Sequence, residues 1–184
     1  MNQEQITKAV LAILEAVGED PSREGLLETP SRVSEMYTEL FSGIGKDASS
    51  EIDAIFDENY TDPVVLHRLR FHSICEHHLL PFFGLADLVY VPNGKIAGIS
   101  KFIRCLDVLS RRPQVQERLT SQWADAVSDK LAPRVVAVRL QAEHLCMSIR
   151  GVEKPGTLMT TMAFRGDLGS NGMRKEELLR LLAG

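Results

Sequence analysis

Four consecutive residues, Cys75-Glu76-His77-His78, set a thiol, a carboxylate and two imidazoles side by side, and they constrain the fold of this 184-residue chain more than any other stretch. Thiolate sulfur and imidazole nitrogen are donors that zinc favours, and a catalytic zinc keeps three protein ligands so that its fourth position holds water. Cys75 with either His77 or His78 supplies two donors, so a third must arrive from a distant part of the chain. Downstream, the remaining Cys and His are Cys105, His144 and Cys146. His144-Leu145-Cys146 lies in a run from Arg134 to Arg150 with the β-branched residues and alternation of a strand, where positions two apart point to one face. A fold that lays this run beside the Cys75 loop yields a Cys2His site, with one imidazole of the pair and His144 left beside it as proton carriers. The competing reading is a structural four-ligand zinc, but such sites usually carry paired Cys-x2-Cys spacings, and this sequence has none.

The length predicts one domain, and a chain of this size buries roughly 70% of its unfolded surface, so a core forms without disulfides. Its three cysteines form no disulfide framework and no basic-then-apolar segment opens the chain, which predicts a reducing, cytoplasmic setting. No apolar run approaches the length that spans a membrane. A formal net charge of −4 argues against broad nucleic-acid binding, so any phosphate recognition has to be local.

Two amphipathic helices are expected in an N-terminal part, residues 1–45. The first runs from Asn2 to Val17 on a stripe of Ile6, Val10, Ile13, Leu14 and Val17, and Gly18 ends it. After a connector from Asp20 to Leu27, Thr29 is the expected cap of the second, with Pro30 at the first helical position. Lys46 to Asp62 is polar and acidic and reads as irregular. Strands are expected from Val64 to His72 and from Gly84 to Val91, flanking the Cys75 loop, with a turn at Pro92-Asn93-Gly94. Two helices follow, the third strand begins after Pro133, Thr157 to Phe164 gives a fourth, and Arg174 to Leu182 forms a last helix. Asp167 to Asn171 reads as a mobile connector. On the third strand His144, Cys146, Ser148 and Arg150 share a face, which puts Arg150 on the metal side.

Candidate substrate groups lie on the two middle helices. Ser100 is the expected N-cap of the first, and Lys101 and Arg104, three apart, share a face near its free N–H groups, where a polyphosphate is well held. The second, on a buried stripe of Val115, Leu119, Trp123, Ala126, Val127 and Leu131, presents Gln116, Glu117 and Arg118 in its first turn. Glu117 favours the helix dipole there, and a carboxylate also accepts the two hydrogen bonds that a guanine ring N–H and amino group offer.

The chain resembles GTP cyclohydrolase I. The residues that carry the likeness are Asp20-Pro21-Ser22-Arg23-Glu24-Gly25-Leu26, Thr29-Pro30-Ser31-Arg32-Val33, Cys75-Glu76-His77-His78 with Pro81-Phe82-Phe83-Gly84, Gly98-Ile99-Ser100-Lys101, Arg112-Pro113-Gln114-Val115-Gln116-Glu117-Arg118-Leu119-Thr120, and His144-Leu145-Cys146 with Arg150-Gly151. The resemblance implies an α+β tunnelling fold over residues 63–184, a four-stranded antiparallel sheet with two helices between its second and third strands, preceded by the N-terminal helices. It implies a homodecamer of two stacked pentameric rings with sites at subunit boundaries, which would also remove exposed sheet edges. It names Cys75, His78 and Cys146 as the zinc ligands, and the conversion of GTP and water to 7,8-dihydroneopterin triphosphate and formate, the first step toward tetrahydrofolate and other pterins.

On the same likeness, zinc activates the water that attacks carbon 8 of the purine. His77 protonates nitrogen 7, His144 moves protons during ring opening and deformylation, and Ser100 assists the ribose rearrangement. Glu117 anchors guanine with Gln116 beside it, and Lys101, Arg104 and Arg150 hold the triphosphate. Leu158, Met159 and Met162 interrupt a strand that is usually Ser/Thr-rich in this family, and no substrate contact is assigned to it. Two rivals share parts of this pattern. A zinc-dependent relative that stops early or releases another pterin would keep every ligand, whereas a non-catalytic nucleotide binder would need neither His77 nor His144.

Overall fold

The computed structural model describes residues 1–169 and 173–184, and it forms two compact units, Met1–Ser42 and Gly43–Gly184. Of the connector expected from Asp167 to Asn171, Ser170 and Asn171 lie outside the described residues.

The first unit is a pair of helices, α1 (Gln3–Ala16) and α2 (Thr29–Leu40). The Asn2 side chain caps α1 by accepting the Gln5 N–H, and Gln3 and Ser34 tie the pair together through Gln3 Nε2 to Thr38 Oγ1 and Ser34 Oγ to the Gln3 carbonyl, both 3.1 Å. Thr29 is not the cap of α2. The chain already turns where the Thr29 N–H reaches the Leu26 carbonyl, so Glu28 takes the cap position and Pro30 falls second, still where a missing N–H costs nothing.

The second unit is built on a sheet of order β5-β2-β3-β6-β7, with β2 Val64–Cys75, β3 Pro81–Val91, β5 Pro113–Gln114, β6 Val135–His144 and β7 Leu158–Gly166. The four long strands pair antiparallel, and β5 adds a fifth, parallel to the end of β2. Lys46 to Asp62 is not irregular throughout: it holds a 3-10 turn, Ala48–Glu51, and β1 (Ile55–Asp57), which pairs with β4 (Lys95–Ala97). β2 and β3 also run further toward the loop that joins them than expected, β2 to Cys75 rather than His72 and β3 from Pro81 rather than Gly84.

Between β3 and β6 run α3 (Ile99–Ser110) and α4 (Gln116–Leu131). They bury Phe102, Leu106, Leu119 and Trp123 against Phe82, Ala86, Leu88 and Tyr90 of β3 and Val136, Val138, Leu140 and Ala142 of β6, the even-numbered face set by strand alternation. Trp123 Nε1 donates to the Phe102 carbonyl at 3.1 Å, so the buried indole is satisfied. On the opposite face, Leu178 and Leu182 of α6 (Lys175–Ala183) cover Val89, Val91, Val135 and Ala137.

The third long strand does not continue to Arg150. It stops at His144, and a helical turn, α5 (Leu145–Ser148), follows. Glu143 fixes this ending by accepting the Ser148 hydroxyl at 2.6 Å and the Gly156 N–H at 2.9 Å, bonds that a continuing strand would not make. Among the described residues no helix is long and apolar enough to cross a membrane.

Candidate metal centre and active site

Several chain ends converge at one corner of the sheet. β2 arrives there with Cys75 and β3 leaves from Pro81, while β6 delivers His144 opposite Phe82. α3 also ends there, the Ser73 hydroxyl donating to the Ser110 carbonyl at 2.7 Å, and β5 feeds directly into the first turn of α4. The loop between β2 and β3 is tight: Cys75 N–H reaches the Leu80 carbonyl, Leu79 N–H reaches the Cys75 carbonyl, both at 2.9 Å, and Leu79 takes a left-handed φ of 53°.

Cys75, His78 and Cys146 meet in this corner, with one donor atom of each within 4.8 Å of the others. Burial pushes the Cys146 thiol up and the neighbouring Cys75 adds to it. Two thiols and an imidazole this close together are a donor set that a divalent cation completes, because the cation's charge favours thiolate. The chemistry of the residues therefore fits a zinc-type ion, and no fourth Cys, His or carboxylate joins the group among the described residues. Cys146 reaches it from a helical turn rather than from the strand face expected. Arg150, two turns of chain beyond the end of β6, lies at the corner too, Nη1 at 3.2 Å from His78 Nε2.

The second histidine of the pair stands outside the donor group. His77 keeps a side chain 63% exposed, with Nδ1 3.8 Å from Cys75 Sγ and Nε2 3.9 Å from Glu76. His144 lies deeper. Its ring stacks on Phe82 at 4.6 Å and 2°, and Nε2 is 2.8 Å from Gln116 Oε1. Burial lowers its pKa, against the pull of the nearby Glu117 carboxylate. Glu117 itself is exposed and has no hydrogen-bond or ion-pair partner among the described residues, whereas Gln116 is 1% exposed and turned inward.

Ser100, Lys101 and Arg104 do not join the corner. β3 carries the chain away from it, and α3 returns to it only at Ser110, about 15 Å of helix beyond Ser100 and about 9 Å beyond Arg104. Ser100 is not the cap of α3: Gly98 holds that position, its N–H taken by the Ala54 carbonyl at 3.0 Å, so the helix starts two residues earlier than expected. Lys101 is held by Asp53 at 2.5 Å. Three contributors were not picked out from sequence: Phe82, the Arg118–Glu76 pair and Thr161. Phe82 and Arg118 stand within motifs already singled out, but Thr161 meets Gln116 only through the pairing of β6 and β7.

Fold and site together are those of an α+β protein with a Cys2His candidate metal centre, with His77 beside it and His144 two residues from Cys146 in sequence. The family model described as GTP cyclohydrolase I matches residues 6–183. GTP cyclohydrolase 1 of Listeria monocytogenes serotype 4a is 50% identical over 183 residues, covering 99% of this chain and 97% of its own, and that of Streptococcus agalactiae serotype V is 46% identical over 182 residues, covering 98% and 97%. A crystal structure of the archaeosine synthase QueF-Like in the apo form overlaps 58% of this chain and 96% of its own at a TM-score of 0.44 and 18% identity. The chain belongs to the GTP cyclohydrolase I family.

Proposed function

We propose that the corner formed by Cys75, His78 and Cys146 is the zinc centre at which this chain, as a member of its family, converts GTP and water to 7,8-dihydroneopterin triphosphate and formate. The observation that carries this is the meeting of three donors from segments about 70 residues apart in sequence within 4.8 Å, with His77 and His144 outside that donor group. A bound zinc supplies Lewis acidity, which brings the pKa of a coordinated water toward neutrality.

The remaining roles belong to the chain. Glu117, exposed and unpaired, accepts the guanine ring N–H and amino group and so fixes the base. Arg150 takes a phosphate from the corner itself. His77, free to turn, gives a proton to purine nitrogen 7, and His144, held by stacking, moves protons as the ring opens and formate leaves. Lys101 and Arg104 grip the triphosphate and Ser100 hydrogen-bonds the rearranging ribose, but these three reach the corner only from a second copy of the chain. That separation supports the tunnelling fold closed into rings, and a homodecamer of two stacked pentamers, as the working unit. The outer edge of β7, and that of β2 before its short pairing with β5, leave ladders that a neighbour's strand would satisfy.

The test is metal content and product together. Cys146→Ala and His78→Ala are expected to lose zinc and turnover, whereas His77→Ala keeps zinc and GTP binding and loses formate release. Full activity in a zinc-free Cys146→Ala protein would falsify the assignment.

A further inference from the structure

Gln116 was expected beside guanine, but its side chain is 1% exposed and every polar atom of its amide is engaged. Nε2 lies 3.1 Å from the Leu140 carbonyl, 3.0 Å from the Met159 carbonyl and 3.0 Å from Thr161 Oγ1. Carbonyl oxygens accept and never donate, so the amide nitrogen must face this side and the amide oxygen must face away.

The hydroxyls agree with that orientation. Thr120 Oγ1 is 2.7 Å from the Gln116 carbonyl, which can only accept, so the Thr120 hydrogen is spent there. In the 2.6 Å contact between Thr120 and Thr161 the donor is therefore Thr161. Its oxygen is left with lone pairs for the Gln116 NH2. The Thr120 and Thr161 hydroxyl hydrogens each have one place to go, and the two N–H of the Gln116 amide are shared among its three acceptors.

The consequence falls on His144. Gln116 Oε1, fixed as an acceptor, sits 2.8 Å from Nε2, and only an N–H satisfies that contact. The ring plane is set separately by the stack on Phe82. We infer that Gln116 is a positioning residue that holds His144 as its Nε2-H tautomer and so leaves Nδ1 as the ring's acceptor. This rests on the reading of His144 as a proton carrier, and it removes Gln116 from the groups that touch guanine.

The experiment is solid-state 15N NMR of zinc-loaded protein labelled at its five histidines, with the His144 signals assigned by their loss in His144→Ala. The wild type is expected to show His144 protonated at Nε2. Gln116→Met, similar in volume but without an acceptor, is expected to show mixed tautomers, to keep zinc, and to lose about 10²-fold in kcat with KM for GTP within about twofold. Thr161→Val, which loosens the amide without removing it, shifts both readouts less and in the same direction. A wild-type His144 protonated at Nδ1 overturns the inference, and so does a Gln116→Met protein with raised KM and intact kcat, the pattern of a lost guanine contact. Should Gln116→Met not fold, the wild-type tautomer and Thr161→Val still decide. Full turnover in His144→Ala overturns the proton-carrier reading and with it the catalytic half of this one, while the tautomer is read independently of turnover.

Discussion

Arg118 closes on Glu76 at two points, Nη1 to Oε2 at 2.6 Å and Nη2 to Oε1 at 3.0 Å, and so ties the first turn of α4 to the loop that carries Cys75 and His78. The Glu76 N–H adds a third tie by donating to the Gln114 carbonyl at 3.0 Å. A two-point pair fixes geometry more than it adds stability, and an exposed one adds little to stability. Arg118→Met is therefore expected to melt within a few degrees of wild type but to release zinc to a chelator about tenfold faster. An unchanged release rate would mean that the Cys75–Leu80 turn holds the ligands unaided.

A second tie holds the sheet itself. Asp87, 2% exposed, accepts the Arg68 N–H at 2.9 Å and Arg139 at 3.0 and 2.8 Å, with His67 Nδ1 at 3.2 Å. Arg68 has a left-handed φ of 58° at the point where the β2–β3 register slips between Leu66 and Leu69, so the carboxylate pins a bulge that strand pairing alone would not keep. Asp87→Ala leaves Arg139 without its partner and is expected to cost about 3 kcal/mol. Asp87→Asn, which still accepts the Arg68 N–H, should cost less. Urea midpoints at unchanged slope check both, and equal losses in the two variants would show that the charge alone matters.

How legible the site was depended on how local each contact is. Cys75 and the histidine pair stand on one tight loop, so spacing showed that a thiol and an imidazole meet there, but not which histidine; that choice came from the family resemblance, and the structure groups His78 with Cys75. Cys146 was reached by a strand argument whose strand ends two residues earlier; it arrives because Glu143 gathers Ser148 and Gly156 into a turn, a set of bonds that no periodicity announces. β1 was missed because three residues carry too little alternation, and its partner lies about 40 residues on. Ser100 is a good capping residue by type, but the Gly98 to Ala54 hydrogen bond decides where α3 begins. The inward turn of Gln116 is set by three acceptors from β6 and β7, which a reading of its own helix could not supply.

Burial pushes Asp107 above the ordinary carboxylate range, and Arg111 and His72 pull it back only in part. With the folded value raised, the folded state binds more protons than the unfolded one between the two values. Stability is thus fully supported below the unfolded pKa and declines as pH rises through the raised folded value. Asp107→Asn should flatten the melting temperature over that acidic window and melt higher than wild type near neutrality. If it melts lower at neutral pH, attraction to Arg111 outweighs the cost of burying the carboxylate.

Gly84 pairs with Phe71 on one side and Ala142 on the other, and a Cβ there would stand 1.9 Å from the Gln141 carbonyl oxygen and 2.7 Å from Ala142 Cα. Both are backbone atoms, so no rotamer change relieves the clash and β3 must move away from β6. Two residues along β3 the same pairing sets Phe82 against His144, where the rings stack at 4.6 Å. Gly84→Ala is accordingly expected to cost about 3 kcal/mol and also to lower kcat at temperatures where the protein is fully folded, since a widened strand gap shifts the ring under His144. Thermal melts and turnover measured on the same preparation separate the two effects. A variant that is destabilised yet turns over normally when folded would show that the stack tolerates the shift, and one that melts like wild type would show that the two strands have room to part.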